Sequence, residues 1–211
     1  MVEATRLLEA GLLEKVYGKL PSGDVKLALP IWALKGPKQV FVAFVRLAEA
    51  LSQSPLTVLV DDVCAQCVVN RSDAEQLEIN KLYTDFFLPL GCKVEFSSTF
   101  LNRMCSDGAA MMVSEIAGRF SFNSFLHMLP VDKRASLHGL GMIEVMHAIS
   151  ELAVLDYASN NCNTLVVGKF SQAVVVLHRN TAPKPLPALI TPKFKSWEHT
   201  EWYIGQIEAL K

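Results

Sequence analysis

The strongest constraint in this sequence is its alternation of short apolar runs with longer segments of helical period. From Val25 to Trp32 the chain is mostly apolar. After a break containing Lys35, Gly36 and Pro37, the residues Phe41, Phe44, Val45, Ala48 and Leu51 recur at helical spacing between Gln39 and Ser52. A second unit opens with Leu56 to Val60, a β-branched run closed by Asp61 and Asp62. Its helix begins at about Ala74, where Ser72 and Glu75 have capping-box spacing and Ile79, Leu82, Tyr83, Phe86 and Phe87 line one face. Pro89 and Gly91 stop that helix, and Lys93 to Ser97 reads as a third strand. Farther on, Ala109 to Arg119 and Gly141 to Tyr157 read as helices, and the polar turn Ser159 to Asn163 leads into the strand-like Thr164 to Val167. After Arg179 the prolines predict a stretch that wraps the surface before a short helix around Trp202 to Leu210.

Strands alternating with helices of this length predict an α/β fold, a Rossmann-like and mostly parallel sheet with helices on both faces. Its 211 residues fit one domain over 1-211. Ligands in such folds bind beyond the carboxyl ends of the strands, here Trp32 to Gly36, Asp61 to Cys64, Ser97 to Thr99 and Gly168 to Ser171.

Composition narrows the function classes. With 51% hydrophobic residues, 19% charged residues and a mean hydropathy of +0.27, the chain is outside the disordered range. The apolar excess predicts that a partner or a second copy covers part of the surface, which leaves a homo-oligomer open. A net charge of -1 excludes a polycation that coats nucleic acid indiscriminately, so nucleic-acid contact requires a local patch. No apolar run approaches the roughly 20 residues of a membrane span. The five cysteines, an odd number in a chain whose first residues lack the pattern of a secretion signal, predict reduced thiols and a cytoplasmic setting.

Cys64-Ala-Gln-Cys67 lacks two further ligands at ordinary spacing, so it reads as a helical turn after a strand and no metal is expected. Neither a Gly-x-Gly-x-x-Gly turn nor a P-loop is present, and no cofactor is expected. Asp61 and Asp62 read equally as helix caps or as cleft carboxylates, and Ser97, Ser98 and Thr99 share their placement. On the Gly141 to Tyr157 helix, Glu144, His147 and Glu151 fall at i, i+3 and i+7 and share a face. Carboxylates there require water, a cation or a cavity. Arg179, Lys184, Lys193 and Lys195 occupy a segment without acids before Glu198. It reads equally as a solvated tail or as a strip that contacts phosphates.

In this order the pieces resemble the catalytic domain of class I tyrosyl- and tryptophanyl-tRNA synthetases. Leu27 to Leu47, Val58 to Asp62 and Asp73 to Ser98 resemble its opening. Met142 to Arg179 resembles its second half, with Gly168 and Gln172 keeping part of a Val-Gly-Gly-x-x-Gln-like strand end. Where those enzymes carry His-x-Gly-His for the ATP phosphates, this chain reads Gln39, Val40, Phe41 and Val42. Only Lys193, Phe194, Lys195 and Ser196 resemble a remnant of Lys-Met-Ser-Lys-Ser, and no anticodon-binding domain is expected after them.

A family with the same catalytic fold and no ATP motifs is the tRNA-dependent cyclodipeptide synthases. Their Tyr-x-x-x-Glu resembles His147-Ala-Ile-Ser-Glu151 with His in place of Tyr. Their nucleophilic Ser is replaced here by the run Trp32, Ala33, Leu34, Lys35, a departure that the arginine-using fungal branch accommodates. This resemblance implies that aminoacyl-tRNA is the partner and that two amino acids, which can include a cationic one, are joined without ATP. Glu151 would bind the amino group and His147 would relay a proton. Asp61, Asp62, Glu144, Ser97, Ser98 and Gln172 would line the substrate pocket, and Arg179, Lys184, Lys193 and Lys195 would meet tRNA. The alternative is a non-catalytic synthetase paralogue that binds an amino acid or a protein.

Overall fold

Each central strand buries both of its faces, and this fixes a layered arrangement. Leu27, Leu29 and Ile31 point into one apolar cluster while Ala28 points into another. The same split separates Val58 and Val60 from Leu59, Leu165 and Val167 from Val166, and Ala188 and Ile190 from Leu189. A computed structural model describes residues 2–18, 26–104, 111, 115–116, 118, 131–161, 164–168, 170–182, 184–193 and 199–211. Side chains at 103–104 and 131–145 lie outside that description.

Six strands, β1 (Leu13–Tyr17), β2 (Lys26–Trp32), β3 (Thr57–Asp61), β4 (Lys93–Phe96), β5 (Thr164–Val167) and β6 (Ala188–Pro192), form one sheet in the order β1-β6-β5-β2-β3-β4. All neighbours are parallel except β1 and β6. Helices α2 (Val40–Leu51) and α4 (Asp73–Phe87) cover the first face, with α8 (Thr200–Glu208) packed on α2. The second face is covered by α5 (Ser97–Met104), the 30-residue α6 (Val131–Asn160) and α7 (Gln172–Thr181). Short helices α1 (Ala4–Glu9) and α3 (Val63–Val69) and a 3-10 turn at Leu88–Leu90 complete these elements. The capping box forms, since Ser72 accepts from the Glu75 amide and the Glu75 carboxylate accepts from the Ser72 amide.

Two expectations require correction, and two elements stand where none was expected. The chain after Arg179 does not simply wrap the surface: α7 runs on to Thr181, and Ala188–Pro192 enters the sheet between β5 and β1. Helix α1 and strand β1 precede the first expected strand. Helix α6 extends the expected Gly141 to Tyr157 segment at both ends. Of the helix expected over Ala109 to Arg119, only Met111, Glu115, Ile116 and Gly118 are described, all helical. No helix among the described residues is long and apolar enough to cross a membrane.

The ladder between β2 and β5 ends at one residue. Pro30 has no N–H to offer a ladder, and the β2–β5 pairing stops at Ala28 while β2 stays paired with β3 as far as Trp32. Gly168 follows β5 beside Pro30, and a Cβ there would stand 3.2 Å from Pro30 Cγ. Gly168→Ala therefore lowers stability by about 1–3 kcal/mol through overpacking. Adding Pro30→Ala restores part of the loss, a coupling that a double-mutant cycle of urea unfolding measures directly.

Candidate functional site

The order β4-β3-β2-β5-β6 reverses direction of travel at β2 and β5, so the topological switch point lies between them, beyond Pro30 where their pairing has ended. Four segments meet near it. Trp32 ends β2, Asp61 ends β3, Ser97 follows β4, and Gly168 to Ser171 link β5 to α7.

Helix α6 brings His147 and Glu151 to this place. The Trp32 and His147 rings are stacked at 4.7 Å between centroids, with 16° between their planes. The Glu151 carboxylate is 8% exposed; one oxygen accepts from the Ser171 amide at 3.1 Å, and the other lies 3.7 Å from His147 Nε2. His147 itself is half-exposed. A buried carboxylate is thus fixed at the sheet's carboxyl end, with an imidazole beside it that can take or give a proton. The indole N–H of Trp32 is buried without an acceptor among the described residues. The Trp32 ring occupies the strand end where the resemblance placed a nucleophilic serine. Glu144 belongs to the same helix, and its side chain lies outside the described residues.

Asp61, Asp62, Ser97 and Ser98 do come together. Ser97 Oγ is 2.8 Å from an oxygen of each aspartate and accepts from the amides of Asp62 and Val63, so it caps α3 from across the sheet. Asp61 accepts from the Cys64 amide at the same helix start. Asp62 accepts from the Ser98 amide and the Ser98 hydroxyl at the start of α5. Both aspartates therefore act as helix caps, one of the two readings open from the sequence. Cys64 and Cys67 lie one turn apart on α3, and burial, followed by the nearby Asp61 carboxylate, pushes the Cys64 thiol upward.

Sequence reasoning missed the group that holds the β2–α2 loop. Arg71 donates to the carbonyls of Ala33 and Leu34, at 3.1 and 2.6 Å, and to the Gln76 side chain at 2.6 Å. Gln76 donates to Asn80, Asn80 donates to Asp62, and Tyr83 donates to the Lys35 carbonyl. A chain of hydrogen bonds thereby joins the loop after β2 to the caps at the ends of β3 and β4. A second unforeseen contact is the fully buried His178 on α7, whose Nε2 lies 3.3 Å from Asp156 and from Ser159 on α6.

The remaining residues do not gather. Gln172 is exposed at the start of α7. Arg179 and Lys184 lie before β6, toward the amino end of the sheet, whereas Lys193 follows β6 at the carboxyl end, so a whole strand separates them. No single basic strip forms from these three. Lys195 lies outside the described residues.

These features define a Rossmann-like α/β domain with Trp32, His147 and Glu151 gathered at its switch point. The sequence matches no protein-family model and no curated protein. Solved structures nevertheless share the fold. Tyrosyl-tRNA synthetase from Archaeoglobus fulgidus, complexed with L-tyrosine, has a TM-score of 0.55 at 15% identity over 80% of this chain and 54% of that one. A tryptophanyl-tRNA synthetase homolog from Entamoeba histolytica has a TM-score of 0.57 at 10% identity, covering 89% and 54%. Tryptophanyl-tRNA synthetase from Encephalitozoon cuniculi, bound to tryptophan, has a TM-score of 0.54 at 13% identity, covering 81% and 53%. The chain spans about half the length of these proteins and has their class I synthetase-like fold.

Asp61 offers a test of the site's electrostatics. Burial raises its pKa above the ordinary 3.8, and hydrogen bonds from Ser150, Ser97 and the Cys64 amide offset this only in part. With the folded value above the unfolded one, the cost of burying the charge is absent below the ordinary value and develops as pH rises through the folded value. Asp61→Asn keeps an acceptor for the Cys64 amide and removes that cost. Denaturation midpoints measured from about pH 4 to 8 are expected to shift progressively in favour of the variant as pH rises.

Proposed function

We propose that this chain is an aminoacyl-tRNA-dependent transferase that joins two amino acids into a cyclic dipeptide without ATP. The observation that carries the reading is the Glu151 carboxylate, buried at the switch point with His147 beside it. Two further features support it. At the start of α2, Phe41 packs its ring against Phe87 at 5.8 Å and Tyr83 at 6.5 Å, so apolar packing stands where the resemblance placed phosphate-binding histidines. The fold is also one that tyrosine-bound and tryptophan-bound proteins share.

In this scheme Glu151 holds the α-ammonium of one aminoacyl group and His147 accepts a proton from it. The freed amine attacks the ester carbonyl of the second aminoacyl-tRNA. A C–N bond forms, the C–O bond to the ribose of that second tRNA breaks, the departing ribose oxygen takes the proton from His147, and the further proton on the new amide nitrogen passes through His147 to solvent. The dipeptidyl ester, still on the first tRNA, then closes on itself through its own free amine and releases that tRNA, the amine proton passing to the departing ribose oxygen. The ester arrives activated, so positioning supplies the catalysis and no enzyme nucleophile is required. Asp61, Asp62, Ser97 and Ser98 shape the neighbouring wall. Lys193, at the cleft end of β6, is assigned to a tRNA phosphate.

A second reading, a non-catalytic synthetase paralogue that binds an amino acid, is favoured by the Trp32–His147 stack over the strand end. Mass spectrometry after incubation with charged tRNAs separates the two, since cyclic dipeptides form only under the first. Glu151→Gln is expected to abolish product, a loss of about 2–5 kcal/mol for a desolvated charge pair, with the melting temperature nearly unchanged. Normal product from that variant removes Glu151 from the site. In the same assay Lys193→Ala raises KM for charged tRNA, and Arg179→Ala leaves it unaltered.

A further inference from the structure

The amino end of the sheet, opposite the switch-point cleft, carries a cavity of its own. Its volume is about 310 Å³, within the size range of small-molecule sites. Strand register explains its lining. Lys26 pairs with Thr164, Ala28 with Thr57, and Thr57 with Lys93, so these side chains, with Glu95 two residues beyond Lys93, all project from the face that α6 covers. Helix α6 ends at Asn160, and Tyr157 and Asn161 form the roof.

Charge is divided across this cavity. Lys26 and Lys93 are exposed, and neither is in an ion pair with a described residue. They stand two strands apart and two residues out of register, about 12 Å at ordinary strand spacing and rise, and therefore flank the space between them. The negative side is built differently. The Tyr157 hydroxyl donates to the Glu95 carboxylate at 3.0 Å and fixes it against the end of α6. That helix end carries the negative pole of the backbone dipoles. Asn160 and Asn161 turn their side-chain amides back onto the carbonyls of Asp156 and Tyr157. A ligand that satisfies both sides is a zwitterion, with a doubly charged anion between the lysines and an ammonium toward Glu95 and the helix end.

We propose that this cavity is a second binding site, for a small amine-bearing phosphate ester. Two lysines facing one carboxylate favour a phosphate dianion over a single carboxylate at the anionic end. The cavity shares no lining residue with the switch-point site, so the inference stands apart from the reading of that site.

The test is an amide-resolved NMR titration of the whole chain with O-phosphoethanolamine, inorganic phosphate and ethanolamine as separate ligands. O-phosphoethanolamine is expected to bind saturably, shifting amides of residues 26–28, 57 and 93–95, at least about tenfold more tightly than either half-molecule. Lys26→Ala with Lys93→Ala is expected to weaken it about tenfold or more, with an unchanged melting temperature because both side chains are exposed. Glu95→Gln keeps an acceptor for Tyr157 and is expected to bring O-phosphoethanolamine down to the affinity of phosphate. No saturation below about 10 mM, an affinity equal to that of inorganic phosphate, or binding that survives the double lysine substitution would overturn the proposal.

Discussion

The hydroxyl of Ser97 is the point on which the carboxyl end of the sheet is organised. It lies 2.8 Å from both Asp61 and Asp62 and accepts the first amides of α3. Two carboxylates side by side at a buried strand end repel each other and lose hydration, and they persist only where donors converge on them. Ser97, Ser98 and the amides that open α3 and α5 are those donors. Because Asp62 also accepts from Asn80, the same cluster reaches through Gln76 to Arg71 and holds the loop after β2. The ends of three adjacent strands are therefore fixed relative to one another by polar contacts, whereas apolar packing alone would leave their side chains free to slide.

Beside this rigid half, Pro30 parts β2 from β5, and α6 lays His147 and Glu151 along the gap. Trp32 lies across the end of β2, stacked on the imidazole. The fold is that of class I tyrosyl- and tryptophanyl-tRNA synthetases, but the start of α2 is an aromatic cluster of Phe41, Tyr83 and Phe87. Apolar rings give a triphosphate no counter-charge. In the proposed scheme that loss costs nothing, because the ester on tRNA brings the activation with it.

Much of this was legible in the sequence where the pattern was local. The periods of α2 and α4, the Ser72–Glu75 box and the β-branched run before Asp61 are set by residues within a few positions, and each formed as expected. The acids and hydroxyls of β3 and β4 were legible as strand-end groups, but not that one serine would serve both aspartates from 35 and 36 residues away. Arg71 gave no signal at all, since its partners Ala33 and Leu34 are backbone carbonyls 38 and 37 residues distant. Strand β6 was hidden by flanking prolines and by a pairing with β1 that closes almost the whole length of the chain. The period of α7 was masked because Ala173, Val174, Val175, Leu177 and His178 are all buried. A helix covered on most sides shows no polar stripe to betray it.

The central claim, that this synthetase-like cleft works on substrates activated elsewhere, is tested most directly by amino-acid-dependent exchange of pyrophosphate into ATP. Across all standard amino acids the exchange rate is expected to equal the rate without protein. Robust exchange with any of them would mean that the Phe41 end of α2 admits ATP phosphates after all, and would contradict the account.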